Sequence, residues 1–250
     1  MTTSTRPATT WLRRFHPTDQ APVRLFCLPH AGGSASYYFP VSRALTPAAD
    51  VIAVQYPGRQ DRRNEPCVDD VRRLADLISV EMLPWCDRPV ALFGHSLGAT
   101  LGFEVALRLE AAGTIPLTLF ASGRRAPSRH RENEHVHASP DAQLLSTIRR
   151  MSGTDPAVLA DEELLRSILP AIRADYKAAE TYRYQPGPPL TCPIEVLNGT
   201  TDPEVTETEA AAWTTHTTGP CTFHTYDGGH FYLNDHAPTV INLIRERVAR

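Results

Sequence analysis

The feature that most constrains this chain is a glycine-flanked serine, Gly94-His95-Ser96-Leu97-Gly98, set between an apolar run and a helical pattern. Val90–Phe93 precedes it as four consecutive apolar residues. Ala99–Ala111 follows, with Leu101, Val105 and Leu109 at four-residue spacing and Gly113 as a stop. Strand, tight turn and helix in that order force strained backbone angles on the serine. Glycines on both sides remove the side chains that would collide there. The Ser96 hydroxyl then stands above the C-terminal edge of a sheet, at a helix start whose N–H groups favour developing negative charge. With 14 glycines and 12 serines in 250 residues, about 0.04 such matches arise by chance, so the motif in this setting is a signal.

The rest of the chain supplies the sheet. Short β-rich runs occur at Val23–Leu28, Val51–Tyr56, Val90–Phe93, Leu117–Ala121, Pro193–Leu197 and Cys221–Tyr226, with helical periodicity between several of them, as at Val71–Leu83. Strands that read as continuous apolar runs and alternate with helices predict an open α/β fold whose parallel sheet is covered on both faces. The alternation breaks between about residues 126 and 189. That stretch begins polar, turns helical in pattern at Ala142–Met151, Asp161–Ile168 and Ala171–Tyr184, and ends in Gln185-Pro186-Gly187-Pro188-Pro189. About 60 residues without a strand, set between two strands, predict a helical insertion over one end of the sheet.

A serine hydroxyl is a poor nucleophile until a base takes its proton. Of ten histidines, His230 in Asp227-Gly228-Gly229-His230-Phe231 is the candidate base, because its glycine loop directly follows the last strand. His224 lies inside a strand pattern, and His95 is expected to point away from the nucleophile. His130, His135 and His137 sit in the polar start of the insertion, where no third ligand at useful spacing suggests a metal site. The orienting acid should follow a strand and precede the histidine. Asp202, after Pro193–Leu197, meets both conditions, with Glu204 and Asp227 as alternatives. The tetrahedral oxyanion needs two donors, commonly backbone N–H groups. Leu97 offers one, and Ala31 in Pro29-His30-Ala31-Gly32-Gly33 offers the other.

Composition narrows the class. A net charge of −3 gives no global basic field for nucleic acid or anionic membrane, and no apolar run approaches the ~20 residues of a membrane span. The first twenty residues contain no apolar core of a secretory signal. They read as a flexible arm that carries Trp11 and Phe15 onto the body, which points to the cytoplasm. Five cysteines without a CxxC pair read as free thiols. The basic residues are 24 arginines and Lys177, a bias expected of a solvated surface.

With these motifs together, the chain resembles the type II thioesterases of polyketide and nonribosomal peptide synthetase systems. The likeness spans nearly the whole sequence. It rests on the segments 25–34, Tyr56-Pro57-Gly58-Arg59, 94–99, Ala121-Ser122-Gly123-Arg124, 198–202 and Gly228-Gly229-His230-Phe231-Tyr232-Leu233. The resemblance implies a single α/β-hydrolase domain over 1–250, with the insertion at about 126–189 acting as a lid. It implies Ser96 as nucleophile, His230 as base, Asp202 as orienter, and Ala31 and Leu97 as oxyanion donors, with no cofactor and no metal. The implied partner is an acyl or peptidyl carrier protein whose phosphopantetheine arm bears an aberrant or stalled acyl group. Leu97 replaces a methionine frequent in the family, which matters little to a backbone donor. Arg59, Arg62, Arg63, Arg124, Arg125, Arg129 and Arg131 read first as plain solvated arginines, with a docking face for an acidic carrier as the alternative. The alternatives are a general carboxylesterase or lipase, a chain-releasing thioesterase, and an inactive relative used for binding. Monomer is the expected state.

Overall fold

A computed structural model of the chain describes residues 9–151 and 162–249. The first eight residues of the polar arm, and Asp161 at the start of one expected helix, lie outside the described residues. Seven strands form one sheet in the order β1-β3-β2-β4-β5-β6-β7: β1 (Leu12–Arg13), β2 (Arg24–Leu28), β3 (Asp50–Val54), β4 (Val90–His95), β5 (Leu119–Ser122), β6 (Ile194–Gly199) and β7 (Cys221–Tyr226). All neighbours are parallel except β1, which pairs antiparallel with β3. Its two residues carried no periodicity to detect.

Side-chain alternation divides the apolar strands between two layers. Leu25, Cys27, Val51, Ala53, Ala91 and Phe93 face α1 (Phe39–Leu45) and α8 (Ala237–Val248). Phe26, Leu28, Ile52, Val54, Leu92 and Leu119 face α2 (Val71–Met82) and α3 (Leu97–Ala111). Because both faces are covered, β2 to β5 are buried at every position. By contrast β7 lies at the sheet edge and alternates between half-buried and exposed positions at its outer end. Asp70 caps α2 by accepting from the Arg73 N–H at 2.8 Å, and Val71, Leu74, Ala75, Ile78 and Met82 form its buried stripe.

Between β5 and β6 the described residues form no strand. They hold a short turn at Val136–Ala138, α4 (Asp141–Met151) and α5 (Glu162–Thr181). Leu144, Ile148, Leu169 and Ile172 make a small apolar cluster of their own. Pro170 lies inside α5, so two expected helices are one. Proline removes an internal hydrogen bond but does not end a helix whose apolar face is held on both sides of it. Beyond this segment come α6 (Glu207–Ala211), with a Thr206/Glu209 capping box, and α7 (Tyr232–Asp235). No helix among the described residues is long and apolar enough to cross a membrane.

The arm is tied down electrostatically as well as by packing. Trp11 is buried beneath the Arg62 guanidinium, 4.1 Å from its ring, and Phe15 meets Phe39 edge-on at 5.5 Å. The fully buried Asp50 carboxylate accepts from Arg14 Nε at 2.9 Å and lies 3.6 Å from Arg24 Nε. Asp50→Ala leaves Arg14 with Asp19 and Arg24 with Asp87, so the loss is that of the buried hydrogen bonds to the carboxylate, about 1–3 kcal/mol. A calorimetric melting temperature should register this as a fall of roughly 2–12 °C for a chain of this length.

Candidate active site

Ser96 sits where β4 turns into α3, with φ 56° and ψ −120°. Positive φ costs a non-glycine residue energy, so surrounding contacts must hold it there. The Ser96 N–H donates to Ser122 O at 2.8 Å, and its carbonyl accepts from Ala99 at 2.9 Å. The flanking glycines are required by space. A Cβ on Gly94 would fall 2.0 Å from Gly98 O, and one on Gly98 would fall 2.0 Å from Leu28 O. The turn thus touches the C-terminal end of β2, which leads into the loop of Ala31. Leu97 opens α3, so its N–H belongs to the helix's unpaired first turn.

His230 and Asp202 come from neighbouring loops laced to each other. Thr200 N–H donates to Tyr226 O at 2.8 Å, and Thr201 N–H donates to Gly228 O at 2.9 Å. Gly199 lies so close to the second loop that a Cβ would be 2.3 Å from Gly229 O. Against this frame His230 Nδ1 lies 2.9 Å from Asp202 Oδ2 and 3.1 Å from Oδ1, and both side chains are buried. A carboxylate only accepts, so Nδ1 carries the proton and Nε2 is left as the basic nitrogen. The alternatives for the acid sit elsewhere: Glu204 supports Asp202 through its own N–H at 2.8 Å, while exposed Asp227 accepts from Thr200 Oγ1 at 3.2 Å.

Ser96, Leu97, Ala31 and His230 all line one cavity of about 340 Å³, whose far wall is built by Ile148, Ile172, Tyr176, Ala179 and Glu180 of the helical segment. Glu180 holds the Val136–Ala138 turn by accepting from the N–H groups of Val136 and His137 at 2.9 and 3.0 Å. It also binds the His137 ring, so one member of the His-x-His pair is drawn into a carboxylate contact. Among the described residues no group of three His, Cys, Asp or Glu side chains is placed to hold a metal ion.

Three features escaped the sequence reading. The first is the setting of His95: it is fully buried, its ring centre is 4.9 Å from that of His230, and its Nδ1 lies 2.9 Å from Ser122 Oγ, itself 2.6 Å from the Tyr232 hydroxyl. Second, the arginine face largely dissolves. Arg59, Arg62, Arg124 and Arg125 are buried and only Arg63 and Arg129 are exposed, with Arg131 on Glu209 at 2.6 Å. Arg62 lies on Glu65, and Arg125 pairs with Glu134. Arg124 makes no ion pair among the described residues, and burial, then Arg125, pushes it down to about 10. Third, Arg59 binds Asp175, a residue with no motif around it. Its only signal was an acid on the apolar face of a helix.

Comparison with known proteins shows the family. The family described as "Thioesterase domain" matches residues 23–248. The "Probable cadicidin biosynthesis thioesterase" of Streptomyces griseus is 51% identical over 240 residues, covering 96% of this chain and 66% of that protein. "Thioesterase PikA5" of Streptomyces venezuelae is 50% identical over 240 residues, covering 95% of this chain and 85% of that one. Among solved structures, "the type II thioesterase BorB from the borrelidin biosynthetic cluster" superposes with a TM-score of 0.92 at 50% identity, over 97% of this chain and 99% of that one. The chain belongs to the thioesterase family and has its α/β-hydrolase fold.

The imidazoles beside His230 make stability depend on pH. Burial, then His230 and Arg59, pushes His30 down to about 3. Burial, then His230 and His30, holds His95 well below the usual imidazole range. Both are neutral in the fold and return to about 6.5 when the chain unfolds. The unfolded chain therefore binds more protons below about pH 6.5, and stability falls as pH drops, by up to ~1.4 kcal/mol per pH unit for each imidazole. Urea midpoints at pH 7, 6 and 5 should show that slope, and His30→Asn should remove one imidazole's share of it.

Proposed function

We propose that Ser96 is the nucleophile, His230 the general base and Asp202 its orienting acid, with the N–H groups of Ala31 and Leu97 as oxyanion donors. The observation that carries this reading is the strained serine and the buried His230–Asp202 pair opening on one cavity, between the loop after β2 and the first turn of α3. His230 Nε2 takes the Ser96 proton as Oγ attacks a thioester carbonyl. The two N–H groups then receive the oxyanion. Collapse expels the sulfur, a ready leaving group because its thiol has a pKa of ~8.5, and it takes the proton from His230 as it departs, leaving that base neutral. Water deprotonated by His230 releases the acid and frees Ser96.

The substrate we propose is an acyl group carried on the phosphopantetheine arm of a carrier protein, removed when it is aberrant or stalled. The helical segment at about 126–189 acts as a lid on the acyl cavity. Its wall mixes apolar Ile148, Met151 and Ile172 with polar Gln143, Thr147 and Arg150, and along the apolar part discrimination is weak, since each methylene is worth only ~1–3 kcal/mol. We propose that the enzyme works as a monomer in the cytoplasm, a reducing setting that suits its free thiols.

Three measurements test the reading. Ser96→Ala should abolish turnover with an unchanged melting temperature, and retention of more than a tenth of the activity would refute the nucleophile. Asp202→Asn should bind substrate but lower kcat by about 10⁴, the loss expected when the base is held in the wrong tautomer. The same acyl group offered on a holo carrier protein, on free pantetheine and as a nitrophenyl ester should be cleaved best on the carrier. Equal or better cleavage of the free ester, with no dependence on carrier identity, would mark a general esterase.

A further inference from the structure

A buried carboxylate in the middle of a helix is expensive unless partners outside the helix satisfy it. Asp175 on α5 is 1% exposed, and all its partners lie in the floor of the site. Its Oδ2 accepts the Gly32 N–H at 2.7 Å and Arg59 Nη1 at 2.6 Å, while Oδ1 accepts Arg59 Nη2 at 2.8 Å. Arg59 Nη1 also donates to Gly33 O at 3.0 Å. The loop after β2 is therefore gripped at one N–H and one carbonyl by a single buried ion pair. Burial opposes the charge of Arg59, but Asp175 outweighs it and carries the guanidinium above its ordinary value.

We propose that Asp175 is a positioning residue that sets the oxyanion donor of Ala31 and couples it to the helix walling the acyl cavity. The proposal rests on the reading of Ala31 as that donor. The peptide unit is planar, so anchoring the Gly32 N–H fixes the plane that holds the Ala31 carbonyl. Only the φ and ψ of Ala31 then separate this plane from the Ala31 N–H. The helix also sits directly on the loop, since a Cβ on Gly32 would lie 2.9 Å from Ile172 Cγ1. Ile172, Tyr176 and Ala179 share the face of α5 that carries Asp175, and all three line the cavity. An acyl chain that seats against this face fixes the helix and, through Asp175, the donor. One that leaves the face empty or pushes it out loosens the donor.

The test separates positioning from folding. Asp175→Leu, which leaves the Gly32 N–H without an acceptor, is expected to lower kcat for butyryl-pantetheine about 10- to 100-fold, the scale of a misplaced catalytic group, with KM within about threefold. Butylboronic acid, which forms a tetrahedral adduct on the serine, should lose affinity by the same factor, while an S-butyl pantetheine thioether binds unchanged. The paired variant Arg59→Met with Asp175→Leu replaces the ions with apolar side chains of similar size and is expected to recover the melting temperature. It should stay slow, because the Gly32 N–H still has no acceptor. Recovery of kcat together with stability, or unaltered boronate binding in Asp175→Leu, would overturn the proposal. A wild-type enzyme that bound no boronate would instead refute the reading of the site itself.

Discussion

The architecture of this protein depends on a contact too close for any side chain: the approach of Gly98 to the carbonyl of Leu28, with Gly94 packed against Gly98. That approach seats the first turn of α3 on the ends of β2 and β4. It also holds Ser96 at positive φ, where a relaxed chain would not leave it. The sheet supplies the rigidity. Strands buried on both faces cannot shift without disturbing two apolar layers at once, so the strain at one residue is borne by the whole core. The serine, the start of α3 and the loop after β2 are thus fixed relative to each other before any ligand arrives.

Around that anchor the polar groups are arranged by burial. His30, His95 and His230 lie within ring contact of Phe231, yet only His230 faces a carboxylate. The other two stay neutral, which keeps two positive charges away from a base that must accept a proton. The Ser122 and Tyr232 hydroxyls complete a chain behind His95 and leave little freedom to its ring. Each buried polar group thus constrains a neighbour, and the site is held from behind as well as from its loops.

The helical segment shows how far contacts reach beyond motifs. It has its own apolar cluster, and its buried carboxylates tie it both to itself and to the core: Glu180 to its own Val136–Ala138 turn, Asp175 to the loop beneath. Arginines that looked like a surface in one dimension are mostly internal. Arg59, Arg62 and Arg125 pair with acids that are distant or unremarkable in sequence, and Arg124 lies between Thr100 and the carbonyl of Ala179. A planar guanidinium with five donors suits such work, since it can join two backbone segments and a carboxylate at once.

The sequence by itself determined the strands, because apolar runs bounded by turns follow directly from burial on two faces. It also determined the serine turn, whose glycines are demanded by local space, and the order of Ser96, Asp202 and His230 at strand ends. It could not supply β1, which is two residues held by pairing alone, or the continuity of α5 through Pro170, which the packing of its apolar face maintains. Nor could it supply the buried ion pair of Arg59 and Asp175, 116 residues apart, or the place of His95 against His230. Local rules fix what a residue can do within a turn of chain. Which groups lose their water together, and so must find partners, is decided only when distant segments close over one another.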